Sequence, residues 1–230
     1  MASRDLDDLL NSILEEDGSA EKIKEMEDTI LYPLLEEIDL LIDGSVKEFV
    51  RAVLVRAPES FWVAPASKSE ELNPPDEHEE GGNITHVKRL VRCAIMLSDA
   101  QNYDPEEQDL LVAAALISNA TKFLPIKDDY ILDPMYPYTV DRFVQEVMGD
   151  EIKNMAEPAS EGASTTLLIS GSDIDAILRL VRCHMGRFSA IPETFPSSMA
   201  EWTLHFADIL TTKMHYIIDG EDVEEDRWKL

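Results

Sequence analysis

Four places in this sequence combine side chains able to ligate, transfer protons or bind phosphate with an otherwise apolar or glycine-bounded setting. They are His86 in "EGGNITH", the run Ser118-Asn119-Ala120-Thr121-Lys122, His184 in "RCHMGRFS", and Asp208 in "LHFADIL". The second is the most telling. "LLVAAALISNATKF", Leu110 to Phe123, begins as a smooth apolar run and then carries a hydroxyl and an amide where burial should continue. Imidazole and carboxylate together hold borderline divalent cations, and Lys122 and Arg187 can hold phosphate oxygens through charge-assisted hydrogen bonds. Taken singly, each also has a structural role. His86 and His184 suit the capping of helix carbonyls, and Asp208 suits a pair with Arg182 or Arg187.

Apolar spacing places most of these residues on helices. Helical periodicity recurs at Leu6, Leu9, Leu10, Ile13 and Leu14 before Gly18, and at Ile30, Leu31, Leu34, Leu35, Ile38 and Leu41 before Gly44. Further helices are expected at Val46 to Arg56, Ile84 to Asp99, Glu106 to Ala120, Thr139 to Met148, Gly171 to Cys183 (capped by Ser172 or Asp173) and Met199 to Tyr216. "APESFWVAPASKSEELNPPDEHEEGG" reads as one long irregular loop, and "MAEPASEGAS" as a second loop. Strand signals are short, at Tyr130 to Leu132 and Thr166 to Ile169. The fold class is therefore all-α, with an N-terminal helical segment over 1–45, a main domain over 46–218 and an acidic tail over 219–230. "RLVRC" occurs at Arg89 to Cys93 and again at Arg179 to Cys183, which reads as two core helices using similar residues.

Composition narrows the partners. The 230 residues carry 47 acidic against 20 basic side chains, a formal net charge of −27. A field of that sign repels phosphate backbones and anionic membranes, which argues against nucleic acid as a partner. No apolar run approaches the ~20 residues that span a bilayer, and the acidic N-terminus lacks the pattern of a signal peptide, so a cytoplasmic protein is expected. Cys93 and Cys183 lie inside apolar helical patterns, as reduced buried thiols do.

Taken in order, the four places resemble the HD superfamily of metal-dependent phosphohydrolases, in particular its phage and archaeal members. The resemblance rests on "PESFWVAPAS" (Pro58 to Ser67), "GGNITH" (Gly81 to His86), "HMGRFS" (His184 to Ser189) and "LHFAD" (Leu204 to Asp208), and it runs from about Val46 to about Ile218. It implies an HD-like helical bundle, here with extra N-terminal helices. It also implies that one metal is held by a first His, a His-Asp doublet and a late Asp, with further histidines holding a second. In this chain the doublet context reads "AALISNATK", so that Ser118 stands for the His and Asn119 for the Asp. Asn73-Pro74 and Tyr136-Pro137 stand for two "H-P" pairs, and His78 lies out of register. Of the first metal's set, His86 and Asp208 remain, around a pocket of Asn73, Lys122, Tyr136, His184 and Arg187. The resemblance also carries an expected source, a phage or archaeon, and host cytoplasm if viral.

A neutral hydroxyl and amide are far weaker donors than imidazole and carboxylate at ~2.0–2.2 Å from a divalent cation. Without the cation, water keeps a pKa near ~15.7 instead of about 7. General-base help of ~10²–10⁴-fold does not replace it. The expectation is a degenerate member with no catalytic residue and no cofactor, binding a nucleotide-like or other phosphorylated ligand or a protein partner. One alternative is an active nucleotide phosphohydrolase with a rewired site, in which Asn119 coordinates through its amide oxygen and Asp128, Asp129, His205 or Asp208 completes the set, with His86, Asn119 and Asp208 as the ligands expected around Mn, Ni, Mg or Zn. Another is an acidic structural or inhibitory protein whose N-terminal helices mediate homo-oligomerisation.

Overall fold

The computed structural model describes residues 20–67, 73–126, 129–133, 135–156, 169–186 and 194–218. The expected N-terminal helix at Leu6 to Leu14, Asp128, Arg187, the acidic tail and most of the strand signal at Thr166 to Ile169 lie outside these residues. Helices dominate: α1 (Ala20–Leu31), a 3₁₀ turn (Tyr32–Leu34), α2 (Leu35–Ile38), α3 (Gly44–Val55), α4 (Glu59–Val63), a second 3₁₀ turn (Pro75–Glu77), α5 (Gly82–Ala100) and α6 (Pro105–Ile117). The antiparallel hairpin β1 (Phe123–Ile126) and β2 (Asp129–Leu132) follows, then α7 (Tyr138–Ala156), α8 (Gly171–Cys183) and α9 (Met199–Ile218). Among the described residues no helix is long and apolar enough to cross a membrane.

The centre is α6. Asp104 caps it in a reciprocal box with Glu107, and Pro105 occupies the first turn, where its missing N–H costs nothing. Residues Leu111 to Ile117 are buried without interruption, because α5, α8 and α3 pack around the helix and Ala113, Ala114 and Ala115 let them approach. The hydrophobic core joins these residues to Leu31, Leu34, Ile38 and Leu41, so it continues across the boundary expected near residue 45.

Three local expectations change. The long loop contains α4 and a 3₁₀ turn, since "ESFWV" buries Ser60 and Phe61 and Ser60 donates to the Phe123 carbonyl at 2.9 Å. The cap of α8 is Ser170, two residues before Ser172 and three before Asp173, and its hydroxyl accepts from the Asp173 N–H. The strand at Tyr130 to Leu132 is present but pairs with Phe123–Ile126, whose Pro125 had hidden it. Both cysteines are buried and free.

Asp109 on α6 holds the link between α2 and α3. Its carboxylate accepts from the backbone N–H of Ile42 at 3.0 and 3.1 Å and of Asp43 at 2.6 Å. Asp109→Ala leaves these donors without a protein partner, at about 1–3 kcal/mol for each one that stays buried. Chemical denaturation should show a loss of that size, with Asp109→Asn, which keeps an acceptor, losing less.

Candidate functional site

The site begins where α4 stops. Pro65 has no N–H to give the Phe61 carbonyl, which would otherwise take the next bond of the helix. Asn83 supplies it instead: its Nδ2 donates to Phe61 O at 2.9 Å while its own backbone N–H donates to Ala64 O at 3.0 Å. The N–H of Gly81 takes the Val63 carbonyl at 2.9 Å. Gly81 turns there with a φ of +78°, and Gly82 lies against the second 3₁₀ turn, where a Cβ would be 2.1 Å from the Glu77 carbonyl oxygen. The glycine pair thus seats the start of α5 against the end of α4 and against the Glu77 turn, and this fixes both Asn83 and His86.

From Asn83 a chain of buried polar groups crosses the interior. Asn119 Nδ2 donates to Asn83 Oδ1 at 3.0 Å, and Tyr136 Oη lies 2.6 Å from Asn119 Oδ1 and 2.7 Å from His184 Nε2. His184 Nδ1 faces the Val181 carbonyl at 2.6 Å, so it carries a proton there. The carbonyl of Phe61 orients Asn83, Asn83 orients Asn119, and the Asn119 oxygen therefore faces the tyrosine. Tyr136 has one proton and two acceptors, and it donates to one of them at a time. Burial lowers the His184 pKa, the nearby Asp208 charge offsetting only part, and burial pushes the Tyr136 phenol well above its usual value.

Beside this chain lies a charged group. His86 Nδ1 is 3.2 Å from Glu77 Oε2, and Nε2 is 3.2 Å from Asp208 Oδ1. Both neighbours are carboxylates, so only the doubly protonated ring satisfies both contacts. Burial opposes that charge, but the hydrogen bonds to Asp208 and Glu77 and the Asp208 charge outweigh it and raise the His86 pKa. Burial also works against ionised Glu77 and Asp208. Contacts with His86, together with Asn73 and Arg89 at Glu77 and with the Lys122 charge at Asp208, more than compensate, so both carboxyls fall below their usual range. Asn73 Nδ2 and Arg89 Nη1 each reach Glu77 at 2.5 Å, and Arg89 Nη2 reaches Asp76 at 2.6 Å. Half-buried Lys122 completes the set; burial lowers its pKa, with partial compensation from Asp208 and Glu77.

The structure therefore gathers His86, Asn73, Asn119, Lys122, Tyr136, His184 and Asp208 into one polar interior. Ser118 does not join it: its hydroxyl donates to the Ala115 carbonyl at 3.0 Å, inside its own helix. Asp208 pairs with His86, whereas Arg182 pairs with Asp141 at 3.0 Å. His78 Nε2 bonds the Asn73 carbonyl at 2.8 Å. His205, a member of the rewired set, is held elsewhere. Its Nδ1 donates to the His184 carbonyl at 2.7 Å, and its ring fills the space over Gly186, where a Cβ would lie 2.3 Å from it. Among the described residues no cluster of three or more His, Cys, Asp or Glu is placed to hold a metal.

The metal set implied by the resemblance does not fit these residues. His86 and Asp208 alone offer strong donors, since Asn119 uses its amide on Asn83 and lies against Tyr136 through its oxygen, and Ser118 turns away. An imidazole whose far nitrogen meets a carboxylate is the usual arrangement behind a ligating histidine, and the His86–Glu77 contact has that form. Glu77, Asn83 and Arg89 are the members that sequence reading missed. The available signal was Pro65, which frees a carbonyl, and Arg89, one turn beyond His86 and so on the same face of α5.

Comparisons with protein-family models, with curated proteins and with solved structures returned no match.

Because the His86 pKa is higher folded than unfolded, its stabilisation is complete below about 6.5 and is lost as pH rises through the folded value. Glu77 and Asp208 have the opposite sign, losing their contribution as pH falls through their lowered values. Melting curves of wild type and His86→Gln should differ most near pH ~6.5 and converge as pH rises above the folded pKa. A gap that widens with rising pH contradicts the assignment.

Proposed function

We propose that this chain is a catalytically degenerate protein of the HD type that acts by binding, with a protein as its partner, and not by hydrolysing phosphate esters. The observation that carries this reading is the double engagement of Asn119. Its amide donates to Asn83 and its oxygen meets Tyr136, so the residue standing for the metal-bridging carboxylate spends its polar atoms on structure. His86 supports the same reading, because a ring proton lies between it and Asp208 where the resemblance would put a cation. With water left at its ordinary pKa of ~15.7, the interior lacks the hydroxide that such hydrolysis requires.

A second reading, a phosphorylated ligand, is favoured by Lys122. Its half-buried ammonium belongs to the same charge cluster as His86 and Asp208, and a phosphate oxygen would compete with Asp208 for it. The polar interior would have to open for such a ligand. Two surface depressions, of about 390 and 330 Å³, are lined by other residues, one around α1 and the 3₁₀ turn after it and one at α9.

Tag-free protein, equilibrated in turn with Mn²⁺, Ni²⁺, Mg²⁺ and Zn²⁺ and then desalted, should retain far less than one metal per chain by plasma mass spectrometry. Stoichiometric retention of any of them, lost in Asp208→Ala, overturns the degenerate reading and restores the hydrolase.

A further inference from the structure

The outward face of α9 has no role in the polar interior, and its composition is unlike the rest of the chain. Met199, Trp202, Phe206 and Leu210 follow one another at helical spacing and are 68, 40, 50 and 40% exposed. The rings of Trp202 and Phe206 stack, with centroids 5.4 Å apart and planes at 28°. Phe195, Pro196 and Ile209 extend this stripe into a depression of about 330 Å³ floored by His205. Both acids between Met199 and Leu210 leave this face: Glu201 is buried against Arg179 at 3.0 Å, and Asp208 turns to His86. In a chain with 47 acidic residues, a contiguous exposed apolar stripe that carries no charge marks a contact surface.

Charge selects the occupant. A second copy brings another net −27. Residues 1–19 carry six acids against one arginine, and residues 219–230 carry six against two basic residues, so both ends of the chain share the repelling sign. We infer that the α9 stripe docks a basic amphipathic helix of another protein, with apolar anchors entering the Phe195–Trp202–Phe206 depression and Lys or Arg side chains drawn by the net negative charge of the chain. Apolar contact then supplies most of the affinity, and the overall charge supplies steering and discrimination against acidic competitors. This deepens the binding reading and rests on it for the protein's role. The stripe uses outward side chains that the polar interior does not, so a metal found there would overturn that reading and leave this inference standing.

The test uses the full chain and a fluorescent helical peptide of leucine and lysine, with leucines at i, i+3, i+4 and i+7. Controls are a scrambled peptide of the same composition and one with glutamate in place of lysine. The striped cationic peptide should bind saturably, the two controls should bind at least about tenfold more weakly, and Trp202→Ala with Phe206→Ala should weaken the striped peptide by about tenfold or more. Phe206→Glu, at a half-exposed ring, provides a second variant should the double one fail to fold. Equal binding of the scrambled peptide, or of wild type and a folded variant, reduces the effect to charge alone and overturns the inference. A homodimer in sedimentation that dissociates in the same variants overturns it by assigning the stripe to a second copy.

Discussion

The interior depends on one constraint: polar groups inside an apolar helical core must satisfy one another. His86 is the fixed point. It sits between Glu77 and Asp208, which come from either side of it in sequence, one from a turn before α5 and one from the last described helix. An unpaired buried carboxylate would cost far more than an exposed one, so the three groups are stable only as a set. Arg89 and Asn73 extend the compensation at Glu77, and Lys122 does so at Asp208. The pattern recurs in the "RLVRC" echo, where Arg89 meets buried Glu77 and Arg179 meets buried Glu201. Glu201 is held down to about 2, where burial is outweighed by Arg179 and Ser197.

The neutral half of the interior follows the same rule by another route. Pro65 removes a donor, Asn83 replaces it, and the orientation so imposed passes through Asn119 to Tyr136 and His184. Each amide points the way its predecessor requires. An aspartate at position 119 would place a carboxylate against Asn83 Oδ1, and both acceptors would lack a proton. The present interior suits the amide, and this is why Asn119 belongs to a packed structural network.

Much of this was legible in the sequence, and the rest was hidden for identifiable reasons. Helices with long apolar periods, such as α5, α6 and α8, appear close to where spacing places them, because periodicity reports burial directly. The residues singled out as interruptions of apolar runs, among them His86, Asn119, His184 and Asp208, do meet, since a polar group in a buried face needs a partner. Glu77 escaped notice because its neighbourhood, rich in Pro, Gly and Glu, resembles a solvated loop, and Asn83 because its partners Phe61 and Asn119 are distant in sequence. Ser118 looked like a site residue, yet a serine at a helix end can satisfy its own hydroxyl on the preceding turn. The hairpin was half-seen because its first strand carries a proline.

Charge and shape together give the molecule two distinct regions, a self-satisfied polar interior and an uncharged stripe on the opposite side of α9. The interior decides whether chemistry is available, and it does so through the proton between His86 and Asp208. The most direct measurement is the nitrogen chemical shifts of His86 in protein labelled at histidine, recorded near pH ~6.5 with and without Zn²⁺. With His86 held between two carboxylates, both ring nitrogens should be protonated and unmoved by the metal. An unprotonated Nε2 that shifts on adding Zn²⁺ would contradict it, because the ring would then be a metal ligand and the interior a working site.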